Sequence, residues 1–229
     1  MADKPSRALV LYGDGLAQFI HTHIHSLASK AACGFLSLPE SEDERIIREF
    51  ANLLDACEPT ISQRFMGMKA AIITLGFTVF QFSDLTSELL KLLGFQEGQT
   101  IETSQFDFVL VHIYVNALVG GVMNTAQPGS EIGSRLHLSL VMSYGDIREI
   151  ISEFSMLIPR QSYTMKGEDV RHHCPMLIAQ WQHAVTRKDM AKTFSFKDFK
   201  ENGGNGVIPA DRFMHEVAFK LWKAPKYGA

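Results

Sequence analysis

The run Phe106–Val115, FDFVLVHIYV, is apolar at most positions and has no break at its centre. A strand with one wet face alternates apolar and polar residues. A run that is apolar throughout must be covered on both faces. Ala8–Tyr12, Ala70–Thr74, Leu136–Met142 and Met176–Gln180 are shorter runs of the same kind. Helical patterns fall between them. Ser41–Cys57, SEDERIIREFANLLDAC, is the clearest. Ser41 can cap it with Glu44 three residues on, and Ile46, Ile47, Phe50, Leu53 and Leu54 form its apolar stripe. Ser83–Leu93 reads as a capped helix stopped by Gly94, Ser26–Ala32 and Asp146–Phe154 as shorter helices, and Ala210–Trp222 as a closing helix with Pro209 at its start. Buried strands alternating with helices predict an α/β chain: a three-layer α/β/α domain over residues 1–229 with a mainly parallel sheet. The polar stretches Gln96–Ser104 and Gly120–Arg135 read as loops.

Composition narrows the function. The chain has 229 residues, 46% hydrophobic and 21% charged, with net charge −3. No broad basic field points to nucleic acid as a partner. No apolar run reaches the roughly 18 residues of a membrane span. The start, MADKPSR, leads into a strand pattern rather than a signal-peptide core. Cys33, Cys57 and Cys174 are odd in number and widely spaced, which suits a reducing cytoplasmic or nuclear setting.

Ligands of open α/β sheets gather at the carboxyl ends of strands. Asp14, Asn116 and Asp146 follow three of the predicted strands. Asp14 and Asp146 could share a hard divalent cation such as Mg²⁺ or Mn²⁺; either acid reads equally as a helix cap or turn residue. His21, His23 and His25 in HTHIH would share one face on a strand and so suggest zinc, but a solvated loop or helix lead-in explains them as well. His172 and His173 are adjacent and cannot both face one ion on regular structure. No nucleophile elbow, phosphate loop or dinucleotide fingerprint is present, and Ser37, Ser41 and Ser62 have no evident base nearby. Met66, Met68, Phe77, Phe80 and Phe82 suit either a core or an apolar face for a partner.

Read in order, RALVLYGDGLAQ, IHSLASKAACGFLSL, GMKAAIITLGFTVFQFSDLTSELLKLLGF, FDFVLVHIYVNALVGG, LHLSLVMSYGDI, CPMLIAQW and FSFKDFKENGGNGVIPADRFMHEVAFKLWKAPKYGA resemble successive segments of one family. It is the archaeal-type cofactor-independent phosphoglycerate mutases, of the alkaline phosphatase superfamily. The resemblance covers most of the chain outside Pro39–Arg64. It implies an alkaline-phosphatase-like core without the inserted lid domain. The family holds two divalent metals through Asp and His and transfers phosphoryl groups through a serine. Against that pattern, Asp14 falls on the first Asp ligand and Asp146 on the Asp of a Gly-Asp-His motif whose His is Ile147. A further ligand Asp falls on Ala117 and a ligand His on Gly121, and another His falls near Asp169, with His172 or His173 as substitutes. Pro39–Arg64 stands where the serine block belongs.

Two-metal phosphoryl transfer needs both ions and the nucleophile together. The resemblance therefore implies a noncatalytic pseudoenzyme that serves as a protein-binding or scaffold subunit of a complex, with Asp14 and Asp146 as relic ligands and no resident cofactor. The alternative is a reduced metal-dependent phosphatase or phosphoglycerate mutase-like enzyme, using a weakly held Mg²⁺ or Mn²⁺ at Asp14, Asp146 and one histidine.

Overall fold

The computed structural model describes residues 7–13, 22–38, 45–56, 60–74, 82–101, 103–112, 115–143 and 176–225. Seven strands form the central sheet: β1 (Arg7–Gly13), β2 (Ala32–Ser37), β3 (Ala70–Thr74), β6 (Phe108–His112), β7 (Leu136–Met142), β8 (Met176–Trp181) and β9 (Gly206–Pro209). Two short strands, β4 (Phe95–Gln96) and β5 (Gln99–Thr100), pair separately around a turn in which Glu97 and Gly98 both have positive φ. The order across the central sheet is β3-β6-β1-β7-β8-β2-β9. β1 runs parallel to both β6 and β7, and β3–β6 and β2–β9 are parallel pairs; β8 alone runs antiparallel to its neighbours.

The helices among the described residues are α1 (Thr22–Ala28), α2 (Arg45–Leu53), α3 (Ile61–Arg64), α4 (Phe82–Leu92), α5 (Val115–Thr125), α6 (Glu131–Arg135), α7 (Phe196–Asn202) and α8 (Phe213–Lys220), the last entered through a 3-10 turn at Ala210–Arg212. Strand periodicity divides them into two layers. Leu9, Leu11, Val109, Val111, Leu138 and Leu140 face one core with α1, α4 and α5. Ala8, Val10, Phe108, Leu110, Val141 and Ile178 face a second core with α2, Phe65 and α8. The result is the expected three-layer α/β arrangement with a mainly parallel sheet. No helix among the described residues is long and apolar enough to cross a membrane.

Several sequence expectations need correction. Ala70–Thr74 is a strand, but it lies at the sheet edge, and Ile72 is 50% exposed. The central strand stops at His112, and Val115 already belongs to α5. Much of the expected loop Gly120–Arg135 is helix, in α5 and α6. Its glycine pair looked like a loop signal, yet it is a packing device. A Cβ at Gly120 would lie 2.8 Å from the His23 ring, and one at Gly121 would lie 2.5 Å from Thr86 Oγ1. Only glycine lets α5 approach α1 and α4 this closely. The helix expected at Ser26–Ala32 begins earlier, at Thr22, and Ala32 opens β2. α2 falls within the expected Ser41–Cys57 helix, whose caps Ser41 and Glu44 lie outside the described residues, as does Asp146–Phe154.

Candidate functional site

β1, β6 and β7 end side by side, with Tyr12 paired to His112 and Gly13 to Met142. Alternation puts Tyr12, His112 and Ser143 on the α2 side of the sheet. α2 then lays Glu49 and Phe50 across these strand ends. The Glu49 carboxylate is only 2% exposed. The Tyr12 hydroxyl donates to its Oε2, and the Ser143 hydroxyl donates to its Oε1 at 2.8 Å. The Phe50 ring packs 4.7 Å from Tyr12 and 5.5 Å from His112, centroid to centroid, and Tyr12 and His112 meet edge-on at 5.3 Å. The rings touch one another, so aromatic and carboxylate groups pack together on the α2 face beside the strand ends. A buried carboxylate is tolerated because charge-assisted hydrogen bonds replace its water.

Sequence reading missed Glu49, although a signal was present. Glu49 stands three residues after Ile46 and four before Leu53, so it is a charged residue inside the apolar stripe of its helix.

A second polar cluster occupies the same face of β7 at its opposite end. His137 and Ser139 alternate with leucines in LHLSLVM, and both side chains are fully buried. Ser139 Oγ lies 3.2 Å from His137 Nε2. Gln180 Nε2 donates to Ser139 Oγ at 3.5 Å, and Lys220 Nζ of α8 donates to Gln180 Oε1 at 3.0 Å. A hydroxyl oxygen has two lone pairs and one proton, so Ser139 Oγ can either donate to His137 Nε2 or accept from it while it accepts from Gln180. His137 Nδ1 has no hydrogen-bond partner among the described residues. Burial holds the imidazole well below its ordinary pKa, and the Lys220 charge adds to the effect. Burial likewise pushes the Lys220 ammonium down to about 8, against the pull of Glu216.

A further buried charge ties β2 to the loop after β8. Asp189 Oδ2 accepts from the Cys33 amide at 2.7 Å and the Gly204 amide at 2.8 Å, and Arg187 grips the same carboxylate. Burial works against this carboxylate, but the Arg187 and backbone hydrogen bonds prevail and keep its pKa below the usual range. Burial and the nearby Asp189 push the Cys33 thiol up to about 12, which makes it inert at neutral pH.

Asp14, Asp146, His21, His172 and His173 lie outside the described residues. Asn116 stands at the start of α5 rather than on a strand end, and its Oδ1 accepts from the Ile24 amide at 3.3 Å, in the first turn of α1. His23 and His25 are on α1, not on a strand. Two residues apart on a helix, they point in widely different directions. His23 packs on Gly120, and His25 Nδ1 accepts from the Phe194 amide at 3.0 Å. The structure does not bring them together. Ala117 and Gly121, where the resemblance would place an Asp and a His ligand, are both on α5 and offer no donor. Among the described residues no group of three or more His, Cys, Asp or Glu side chains is placed to hold a metal ion.

Fold and site together define an α/β protein whose sheet carries a helix across its carboxyl end. No protein-family model matches the chain, and no curated protein matches it. One solved structure is similar along its whole length: the PH0037 protein from Pyrococcus horikoshii, with a TM-score of 0.58 at 12% identity over 100% of both chains. That similarity is one of fold.

Proposed function

We propose that the chain is a noncatalytic relative of the cofactor-independent phosphoglycerate mutases that works as a protein-binding or scaffold subunit of a complex. The observation that carries this reading is the buried Glu49 carboxylate, held by the Tyr12 and Ser143 hydroxyls over the ends of β1 and β7. In an open α/β sheet that is where a substrate would sit. Here a helix from Pro39–Arg64, the block that replaces the nucleophilic serine in the resemblance, packs beside those ends. Asp14 and Asp146 are then relics of a ligand set.

The competing reading is a reduced metal-dependent phosphatase. It is favoured by the side-by-side ends of β1 and β7, since Asp14 directly follows the first in sequence and Asp146 comes four residues after the second. Turnover separates the two. The chain is assayed on 3-phosphoglycerate and on a nitrophenyl phosphate with Mg²⁺, Mn²⁺ and Zn²⁺, beside Asp14→Ala. The pseudoenzyme reading expects equal, background rates from both proteins. Metal-dependent turnover that Asp14→Ala abolishes would replace it with the phosphatase.

A further inference from the structure

The two edges of the sheet end its hydrogen-bond ladder differently. β9 is four residues long and closes on Pro209, which has no N–H to offer. β3 has no such protection, for Ala70-Ala-Ile-Ile-Thr74 contains neither proline nor charge. The Lys69 carbonyl accepts from the Asp107 amide at 2.8 Å and the Phe108 amide at 3.1 Å, so it faces β6. Backbone groups alternate in direction along a strand, so Ala71 and Ile73 also face β6. Ala70, Ile72 and Thr74 turn their N–H and C=O groups outward. Those of Ala70 and Ile72 meet no partner among the described residues. The Ile72 side chain beside them is half exposed.

We propose that β3 pairs with β3 of a second copy of this chain, antiparallel about a two-fold axis at Ile72, joining two seven-stranded sheets into one. The register follows from the geometry. Ile72 faces its own copy as a hydrogen-bonded pair exchanging both bonds, and Ala70 faces Thr74 of the other chain. Each outward N–H then meets an outward C=O, so the edge complements itself. The side chains agree with this. Ile72 meets Ile72, a favourable β-branched cross-strand pair. The segment has no charge to oppose its twin. The two copies of Lys69 are six residues apart along the paired strands, about 20 Å, well beyond the screening length of physiological salt. A strand from a different protein could use the same backbone groups; the two-fold register with Ile72 on Ile72 and no opposed charge favours the chain's own copy.

Sedimentation equilibrium on the full chain, from about 1 to about 100 μM, tests the pairing over the range of modest interfaces. Two variants accompany it. Ile72→Pro removes only an outward N–H, so the β3–β6 ladder keeps every bond. Ile72→Lys sets like charges directly opposite each other. A concentration-dependent dimer of the natural chain is expected, with its dissociation constant raised at least about tenfold in both variants and an unchanged circular dichroism spectrum. Should Ile72→Pro fail to fold, Ile72→Lys decides alone, because its side chain stands at a half-exposed position. A natural chain that stays monomeric throughout, or a dimer that Ile72→Lys leaves intact, overturns the proposal.

Discussion

The two ends of β7 present opposite solutions to burying polar chemistry against the same face of the sheet. At the carboxyl end, hydroxyls from β1 and from just past β7 donate to an acid brought in by α2. At the amino end, His137 and Ser139 project from the strand itself and are reached through Gln180 by a cation on α8. The first cluster lodges a carboxylate with matched donors. The second holds an imidazole neutral and leaves one of its ring nitrogens without a partner among the described residues. The comparison teaches that the carboxyl end is closed by a directed polar lock, whereas the amino end is closed by packing that tolerates an imperfect polar chain.

Removing the lock is the most damaging change. Glu49→Ala takes away the acceptor that both hydroxyls serve, and should lower unfolding free energy by about 3 kcal/mol in urea melts, from charge-assisted bonds and lost burial. Tyr12→Phe in the same background should then add little. A full additive loss would break the claim that the two residues act as a unit.

The amino end should reveal itself through pH. His137 stays neutral in the folded chain, while the unfolded chain binds a proton at His137 below about pH 6.5. Stability therefore falls as pH drops below that value, by up to about 1.4 kcal/mol per pH unit for this one group. His137→Leu should flatten that part of the slope. An effect of the same sign and the same limiting slope, at higher pH, belongs to Lys220. The folded chain releases its proton near pH 8, the unfolded chain near 10.5, so stability rises with pH between the two. Lys220→Met should remove the rise. Smallest is Ser139→Ala, expected to cost about 1 kcal/mol, the usual worth of one neutral hydrogen bond. If Ser139→Ala proves as costly as Glu49→Ala, the contrast between the ends fails.

Much of the fold was legible because burial on both faces writes itself as runs that are apolar at most positions. Leu136–Met142 was expected to the residue, and Arg7–Gly13 and Phe82–Leu92 differ from expectation by a residue at an end or two. α5 was misread because glycine reports backbone freedom in a sequence but records close helix packing in the structure, at Gly120 and Gly121. The edge position of β3 was invisible, since AAIIT is as apolar as a central strand. The polar clusters left weaker marks: Glu49 as one charge within an apolar stripe, His137 and Ser139 as two polar residues at period two. Which partners those side chains meet depends on residues up to 94 positions away, as for Ser143 and Glu49, and local pattern carries no such information.

The most direct test of the central claim is metal content by elemental mass spectrometry. Protein purified without chelator is dialysed against manganese, magnesium and zinc in turn, beside Asp14→Ala. If Asp14 and Asp146 are relics, as proposed, neither form retains a stoichiometric ion. One tightly held ion per chain, lost in Asp14→Ala, would contradict that account and restore the strand ends as a working metal site.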